Sequence, residues 1–275
     1  RRDTLVWVRW RVGNGMIGAF KQTFLGSAGA STAVAEGGTE TEVGGYIYHT
    51  FTSTANLEVF NVVTMEYMIL AGGGSGGRVS SRPSATPGGA GGYRTFSTSV
   101  PVGTYVCTVG AGAAGVSADS VGLVGSNSSV SQTAGSGFAT LTSTGGGGGC
   151  WDGSTGPTGG SGSGGSGDPD YYSRSSPGTG NAGGYSPAEG YNGGQAYSNG
   201  ISNGGSAGAG GAGGNASYGV SGSPGAGATW LDGVTYGTGR ADSSASNGGV
   251  NTGEGGSSGS PWVGGSGIII FRYAI

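Results

Sequence analysis

The sequence predicts an all-β fold with polyglycine II character: a small β-sheet unit framing a glycine-rich bundle of polyproline-II-like helices. Three observations predict it. Short segments along the chain carry strand patterns, glycine supplies 70 of the 275 residues, and in places glycine recurs at every third position. Glycine loses more backbone freedom on folding than any other residue. A chain this rich in it stays ordered only through dense backbone hydrogen bonding, long-lived assembly, or both. Charged residues make up only 9%, with a net charge of −3, which is not the highly charged composition of a disordered chain.

Residues 5–12 (LVWVRWRV) alternate with period two. Val6, Val8, Trp10 and Val12 share one face, and Leu5, Trp7, Arg9 and Arg11 the other. This reads as a strand, either an edge strand with a charged outer face or one that pairs with another subunit. Residues 26–45, rich in small residues and glutamates, read as a linker or long loop. The organisation that follows is an N-terminal strand and linker over residues 1–43, serving assembly or attachment. A glycine-rich β/polyglycine II domain then spans residues 44–275.

Within that domain, residues 46–51 (YIYHTF), 56–63 (NLEVFNVV) and 65–71 (MEYMILA) read as three short strands. The run Met68-Ile69-Leu70 is apolar without alternation, as expected of a strand buried on both faces. Further strands are expected at 93–100, 104–109, 128–133 and 138–143, separated by glycine-rich loops. The chain closes on 268–273 (IIIFRY), a second unalternating strand. Since both bracket the glycine tract, the strands at 65–71 and 268–273 are expected to be neighbours in one sheet, clamping the tract at its ends.

Inside the tract, glycine falls in register at Gly153, Gly156, Gly159, Gly162 and Gly165, and again at Gly205, Gly208, Gly211 and Gly214. Three is the period of the polyproline II helix. Glycine at every third position leaves one side of such a helix without Cβ atoms, so neighbouring helices can approach until N–H meets C=O. A bundle of this kind satisfies buried backbone groups without a side-chain core. Collagen needs an unbroken triplet register and much proline; nine prolines and interruptions such as DPDYY at 168–172 exclude it.

Composition and motifs exclude several functions. A single lysine, Lys21, and scattered arginines make a poor footprint for nucleic acid. No run of 18 apolar residues is present, so no membrane insertion by a helix is expected. Ala33-Val34-Ala35 has the form of a signal cleavage site, but Arg9, Arg11, Gly13, Gly15 and Lys21 break every apolar core ahead of it. Cys107 reads as a small buried residue in a strand, with pairing to Cys150 left open. The one histidine, His49, lies in a strand without a cysteine cluster, so neither zinc nor a Ser-His-Asp triad is expected. Asp168 and Asp170 read as a solvated turn. No catalytic residue, metal or cofactor is assigned, and the protein is expected not to be an enzyme.

Aromatic residues standing in glycine-rich loops are more informative. Trp151, Tyr171, Tyr172, Tyr191, Trp230 and Trp262 have few large apolar neighbours in sequence. A large amphipathic ring at a loop tip is a common anchor for sugars or protein surfaces, so these six are the candidate receptor-binding residues. The alternative is that some of them cap the ends of glycine helices as satellite clusters.

The run GGYIYHTFTSTANLEVF followed by MEYMILAGGGSGG resembles the opening of glycine-rich domains in tail-fibre and receptor-binding proteins of tailed bacteriophages. The likeness continues through GGAGGYRTF, PVGTYVCTVGAGAAG and GSNSSVS and closes on GGSGIIIFRY. It implies a bundle of polyglycine II helices carrying loops that contact a host surface. It further implies an adhesive virion appendage, a tail fibre or fibre tip, at the virion surface or otherwise extracellular. The implied partners are a host surface receptor (a glycan or an outer-membrane protein) and other fibre subunits or copies of the chain itself, a homotrimer among them. A self-assembling extracellular filament or surface-matrix protein is the competing reading. An ice-binding polyglycine protein fits less well, because bulky residues between Tyr171 and Tyr197 interrupt any flat array.

Overall fold

The computed structural model describes residues 33–80, 85–151, 154–167, 174–197, 202–241 and 246–275. The strand expected at residues 5–12 lies outside them. Everything below concerns Val34–Ile275, one of the two units into which the chain divides.

Among the described residues twelve strands form in chain order: β1 (Ala35–Glu36), β2 (Thr39–Val43), β3 (Tyr46–Phe51), β4 (Ala55–Val59), β5 (Val63–Leu70), β6 (Tyr93–Val100), β7 (Gly103–Thr108), β8 (Ser128–Gly135), β9 (Leu141–Ser143), β10 (Ala228–Thr229), β11 (Thr235–Tyr236) and β12 (Ile268–Ala274). No helix occurs among the described residues, and the fold is all-β. One antiparallel sheet runs β1-β4-β7-β8-β9, a second β2-β3-β12-β5-β6, and β10-β11 is a separate hairpin.

The long strands follow the patterns that predict them. The linker expected over residues 26–45 gives way from Ala35 onward to β1 and β2. Val43 pairs with Tyr46 across a two-residue turn in which Gly44 (φ 60°) and Gly45 (φ 81°) are both left-handed. That is the geometry a tight hairpin requires and that glycine supplies at little cost. Every residue of β2 is exposed, which is why its Thr-Glu-Thr-Glu run lacks the apolar alternation of a half-buried strand.

Strand β12 lies between β3 and β5, with Ile268 opposite Leu70, Ile269 opposite Ile69 and Ile270 opposite Met68. The two ends of the glycine tract are thus clamped side by side, as expected. The two large sheets share one core, in which Met65, Tyr67, Ile69, Ile269 and Phe271 of the second sheet meet Leu57, Tyr105, Cys107 and Val130 of the first. Tyr67 stacks on Phe271 at 4.8 Å and on Phe96 at 5.1 Å, contacts worth about 1 kcal/mol each beyond their burial. On the other side of β5 and β12, Met68, Leu70, Ile268 and Ile270 pack under Trp230 and Tyr236 of the β10–β11 hairpin. Both faces of these strands are therefore covered, and this removes any reason for them to alternate. Cys107 and Cys150 are both free thiols and buried; desolvation pushes the Cys107 thiol up to about 12, leaving it unreactive.

Where the strands end, the glycine segments begin. Ala71, Gly74 and Gly77 donate their N–H groups to Gly92, Gly89 and Thr86 at 3.0, 3.0 and 3.0 Å. Gly72, Ser75 and Arg78 donate to Ser126, Leu123 and Ser120 at 3.0, 2.9 and 3.0 Å, while Gly73 donates to Gly265 at 2.9 Å. Successive residues thus address different neighbours, and every third residue returns to the same one. Pairs of triplet glycines three residues apart follow the same rule, while Gly153 lies outside the described residues. Gly156 and Gly159 donate to Ser176 and Thr179, Gly162 and Gly165 to Tyr191 and Gly194, and Gly205 and Gly208 to Gly214 and Gly211.

This bonding excludes side chains. A Cβ on Gly72 would collide with the carbonyl of Ala111, one on Gly73 with that of Glu254 and one on Gly74 with that of Gly147. Three successive residues therefore meet three different segments, each at backbone contact. Gly74→Ala is expected to destabilise by more than about 3 kcal/mol, because the clash is with backbone on a packed neighbour. Gly219→Ala keeps the left-handed φ of 69° but enters open space, so it should cost only about 1 kcal/mol. Denaturant unfolding of the two variants measures the difference; equal losses would mean that conformational preference, not crowding, selects glycine in the bundle.

Candidate recognition surface

The hydrogen-bond registers set the direction of each glycine segment. Ala71 lies opposite Gly92 and Gly77 opposite Thr86, so the first leg leaves the sheets and the second returns. By the same reasoning Cys150, bonded to Thr86, Gly167, paired with Arg174, and Gly259, bonded to Gly77, lie at the end remote from the sheets. The connections made there cannot extend the bonding pattern and are free to carry large side chains.

Trp151 sits at this far end, bridged to Ala85. Its backbone N–H donates to Ser154 Oγ at 2.9 Å and its carbonyl accepts from Ser154 N–H at 2.7 Å. The side chain is half-buried, and its indole N–H is sealed without a partner among the described residues. Trp262 is also at this end, half-buried between exposed Pro261 and Val263, and Val263 N–H is pinned to Asn247 Oδ1 at 3.0 Å. Tyr171 and Tyr172 lie outside the described residues.

Tyr191 stands on the flank of the bundle, 44% exposed, its carbonyl accepting from Gly162. Trp230 departs from expectation. It is only 5% exposed, packed on Met68, Leu70 and Ile270 and edge-on to Tyr48 at 6.2 Å. It is a core residue on the face of the second sheet, neither a surface anchor nor a cap on the end of a glycine segment. Tyr218, which was not singled out, is 76% exposed. It stands on the tight turn in which Ser217 and Val220 exchange both backbone hydrogen bonds at 3.0 Å. Its ring meets Tyr197 edge-on at 6.1 Å. Its sequence setting, ASYGV between glycine runs, is the same as that of the tyrosines that were chosen.

Tyr218 thus stands out from a segment fixed by backbone bonds, with Tyr197 against it, Trp151 and Trp262 half-buried at the same end and Tyr191 on the side. Rings so held offer stacking area and hydroxyl groups at little further ordering cost, the chemistry of surface recognition. His49 has a structural place. It is buried, bonded through Nδ1 to Gly37 O at 2.9 Å and stacked on Tyr273. Among the described residues no group of three or more His, Cys, Asp or Glu is placed to hold a metal, and no helix is long and apolar enough to cross a membrane.

A family model for a glycine-rich domain matches residues 49–274. No curated protein matches the chain.

The burial difference separates scaffold from surface. Trp230→Ala should lower stability by about 3 kcal/mol or more, since it empties the cluster over β5 and β12. Tyr191→Ala and Tyr218→Ala should each change it by less than about 1 kcal/mol. Thermal or urea unfolding of the three variants checks this, and a Tyr218 variant as unstable as the Trp230 one would remove Tyr218 from the recognition surface.

Proposed function

The chain belongs to the glycine-rich domain family, and on that premise we propose that it is a structural and adhesive part of a virion appendage, a tail fibre or fibre tip. In this reading the glycine segments are polyglycine II helices. They form a stiff post, and the loops at the far end attach to a host surface receptor, a glycan or an outer-membrane protein. The protein works at the virion surface, without catalysis. The observation that carries the reading is the placement of loop rings at the end remote from the sheets, on segments whose amides bond a fixed neighbour every third residue. A rigid scaffold with variable loops at one end is how recognition is usually organised.

One observation favours a second reading, a self-assembling filament. At the opposite end of the sheets, Val43, Phe60, Val62, Val102 and Ile275 are exposed, Val62 at 65% and Ile275 at 72%. Apolar groups gathered at one end of a molecule suit a subunit contact.

The deciding experiment measures binding of the fluorescently labelled chain to a panel of bacterial cells. The triple variant Tyr191→Ala, Tyr218→Ala, Trp262→Ala is expected to keep its unfolding temperature and lose at least about tenfold in binding, as loss of a few anchors implies. Binding unchanged in the triple variant would overturn attachment through these loops. Helical homopolymers in electron micrographs of the purified chain would favour the filament.

A further inference from the structure

The β10–β11 hairpin covers only the middle of the outer face of the second sheet. Along its β6 side runs a cleft of about 470 Å³, lined by Glu66, Tyr93, Thr95, Ser97, Trp230 and Leu231 among others. Its size is within the range of small-ligand sites, about 300–1,000 Å³. The register explains the lining. Tyr93 lies opposite Leu70, Thr95 opposite Met68 and Ser97 opposite Glu66, so these three of the five hydroxyl-bearing residues of β6 alternate onto one face at roughly 7 Å intervals.

These groups are unspent. The hydroxyls of Tyr93, Thr95 and Ser97 make no hydrogen bond within the protein among the described residues. Burial pushes the Tyr93 hydroxyl up to about 12, with the Asp232 carboxylate adding to the rise, so it is a neutral donor at ordinary pH. Glu66 spends one oxygen, Oε2, on Arg272, at 2.8 Å to Nε and 2.7 Å to the neighbouring nitrogen; the other oxygen remains an acceptor. Arg272 spends four of its five N–H groups on Glu66, Tyr48 and the Leu231 carbonyl.

The combination narrows the ligand. An anion would meet Glu66, and among the described residues no Lys or Arg lines the cleft to answer it. A wholly apolar ligand would strand the hydroxyls, at about 1–3 kcal/mol for each one desolvated. β6 is an edge strand, but an extended peptide would pair along its open backbone edge, whereas this cleft is lined by side chains on its face toward the hairpin. A ligand with many hydroxyls and apolar C–H faces suits a row of neutral hydroxyls, one carboxylate oxygen and the half-buried ring of Tyr93. We propose that this cleft is a saccharide-binding groove for a neutral di- or oligosaccharide, separate from the far-end rings and independent of the attachment reading.

A glycan array of neutral and uronic-acid-containing di- to hexasaccharides tests it with the full chain and two variants. Tyr93→Phe deletes a hydroxyl that bonds nothing in the protein, so stability should hold while binding weakens about three- to tenfold, the worth of one hydrogen bond. Ser97→Tyr fills the cleft from an exposed strand position and should abolish binding with the unfolding temperature unchanged. Neutral glycans bound by the parent chain, weakened by the first variant and lost in the second, are the expected result. Absence of any bound glycan, or binding that Ser97→Tyr retains, would overturn the groove. So would binding lost only in the Tyr191, Tyr218, Trp262 triple variant, which would assign sugar recognition to the far end instead.

Discussion

Hydrogen bonds between glycine amides and carbonyls of neighbouring segments are what the rest of this molecule is arranged around. Each such bond contributes a net of about 1 kcal/mol, while fixing each residue costs about 1–2 kcal/mol of backbone entropy. Bundle bonds alone therefore come close to cancelling the cost of making them. The surplus has to come from elsewhere, and the sheets provide it. The aromatic core of Tyr67, Phe271, Phe51 and Tyr105 buries apolar area that the bundle lacks, and the pairing of β5 with β12 holds the first and last glycine segments in fixed positions. Hydroxyls strengthen the junction: Ser128 Oγ donates to Leu70 O at 2.7 Å and Ser143 Oγ to Ile69 O at 2.9 Å, tying the first sheet to the point where β5 becomes a glycine segment.

Small polar side chains then repair the bonding wherever a backbone partner is missing. Thr86 accepts from Cys150 N–H at 2.8 Å and donates to Gly164 O at 2.8 Å. Ser75 Oγ accepts from Leu123 N–H at 2.8 Å, and Asn127 and Asn192 accept from Gly145 and Gly180 at 2.9 and 2.9 Å. The buried Glu189 carboxylate accepts from Thr144 N–H at 2.8 Å and Gly183 N–H at 3.0 Å. Several serine, threonine and asparagine side chains in the glycine tract thus stand in for backbone acceptors. This explains why the tract is not pure glycine.

The β-sheet unit was legible because its strands depend on local patterning. Residues 46–51 and 93–100 coincide with β3 and β6, and the unalternating 65–71 and 268–273 runs announced strands buried on both faces. What escaped notice depends on distant partners. β10 and β11 are two residues each and are held by Met68 and Leu70, more than a hundred positions away in the chain, and by Ile270 at the far end of the glycine tract. For the same reason Trp230, flanked by Thr229 and Leu231 in a polar stretch, passed for a loop ring. The glycine triplets showed the bundle where other residues separate them, but in GGGSGG at 72–77 glycine is too dense for any register to stand out. Sequence alone could find rings in glycine loops but not rank them by exposure, and the 76% exposure of Tyr218 is set by a turn whose partners lie in the folded chain.

If the bundle is held by backbone bonds, its interior amides must be as sheltered as those of the sheets. Hydrogen–deuterium exchange resolved to single glycines is the direct measurement, with Gly74, Gly89, Gly147, Gly165 and Gly205 as reporters, since each donates to a carbonyl of another segment at 3.0 Å or less. Protection comparable to that of Ile69 and Ile269 in the central strands is the expected result. Exchange of these glycines at the rate of an unstructured peptide, with the strands still protected, would contradict a bonded bundle and leave only a small β unit carrying a long glycine loop.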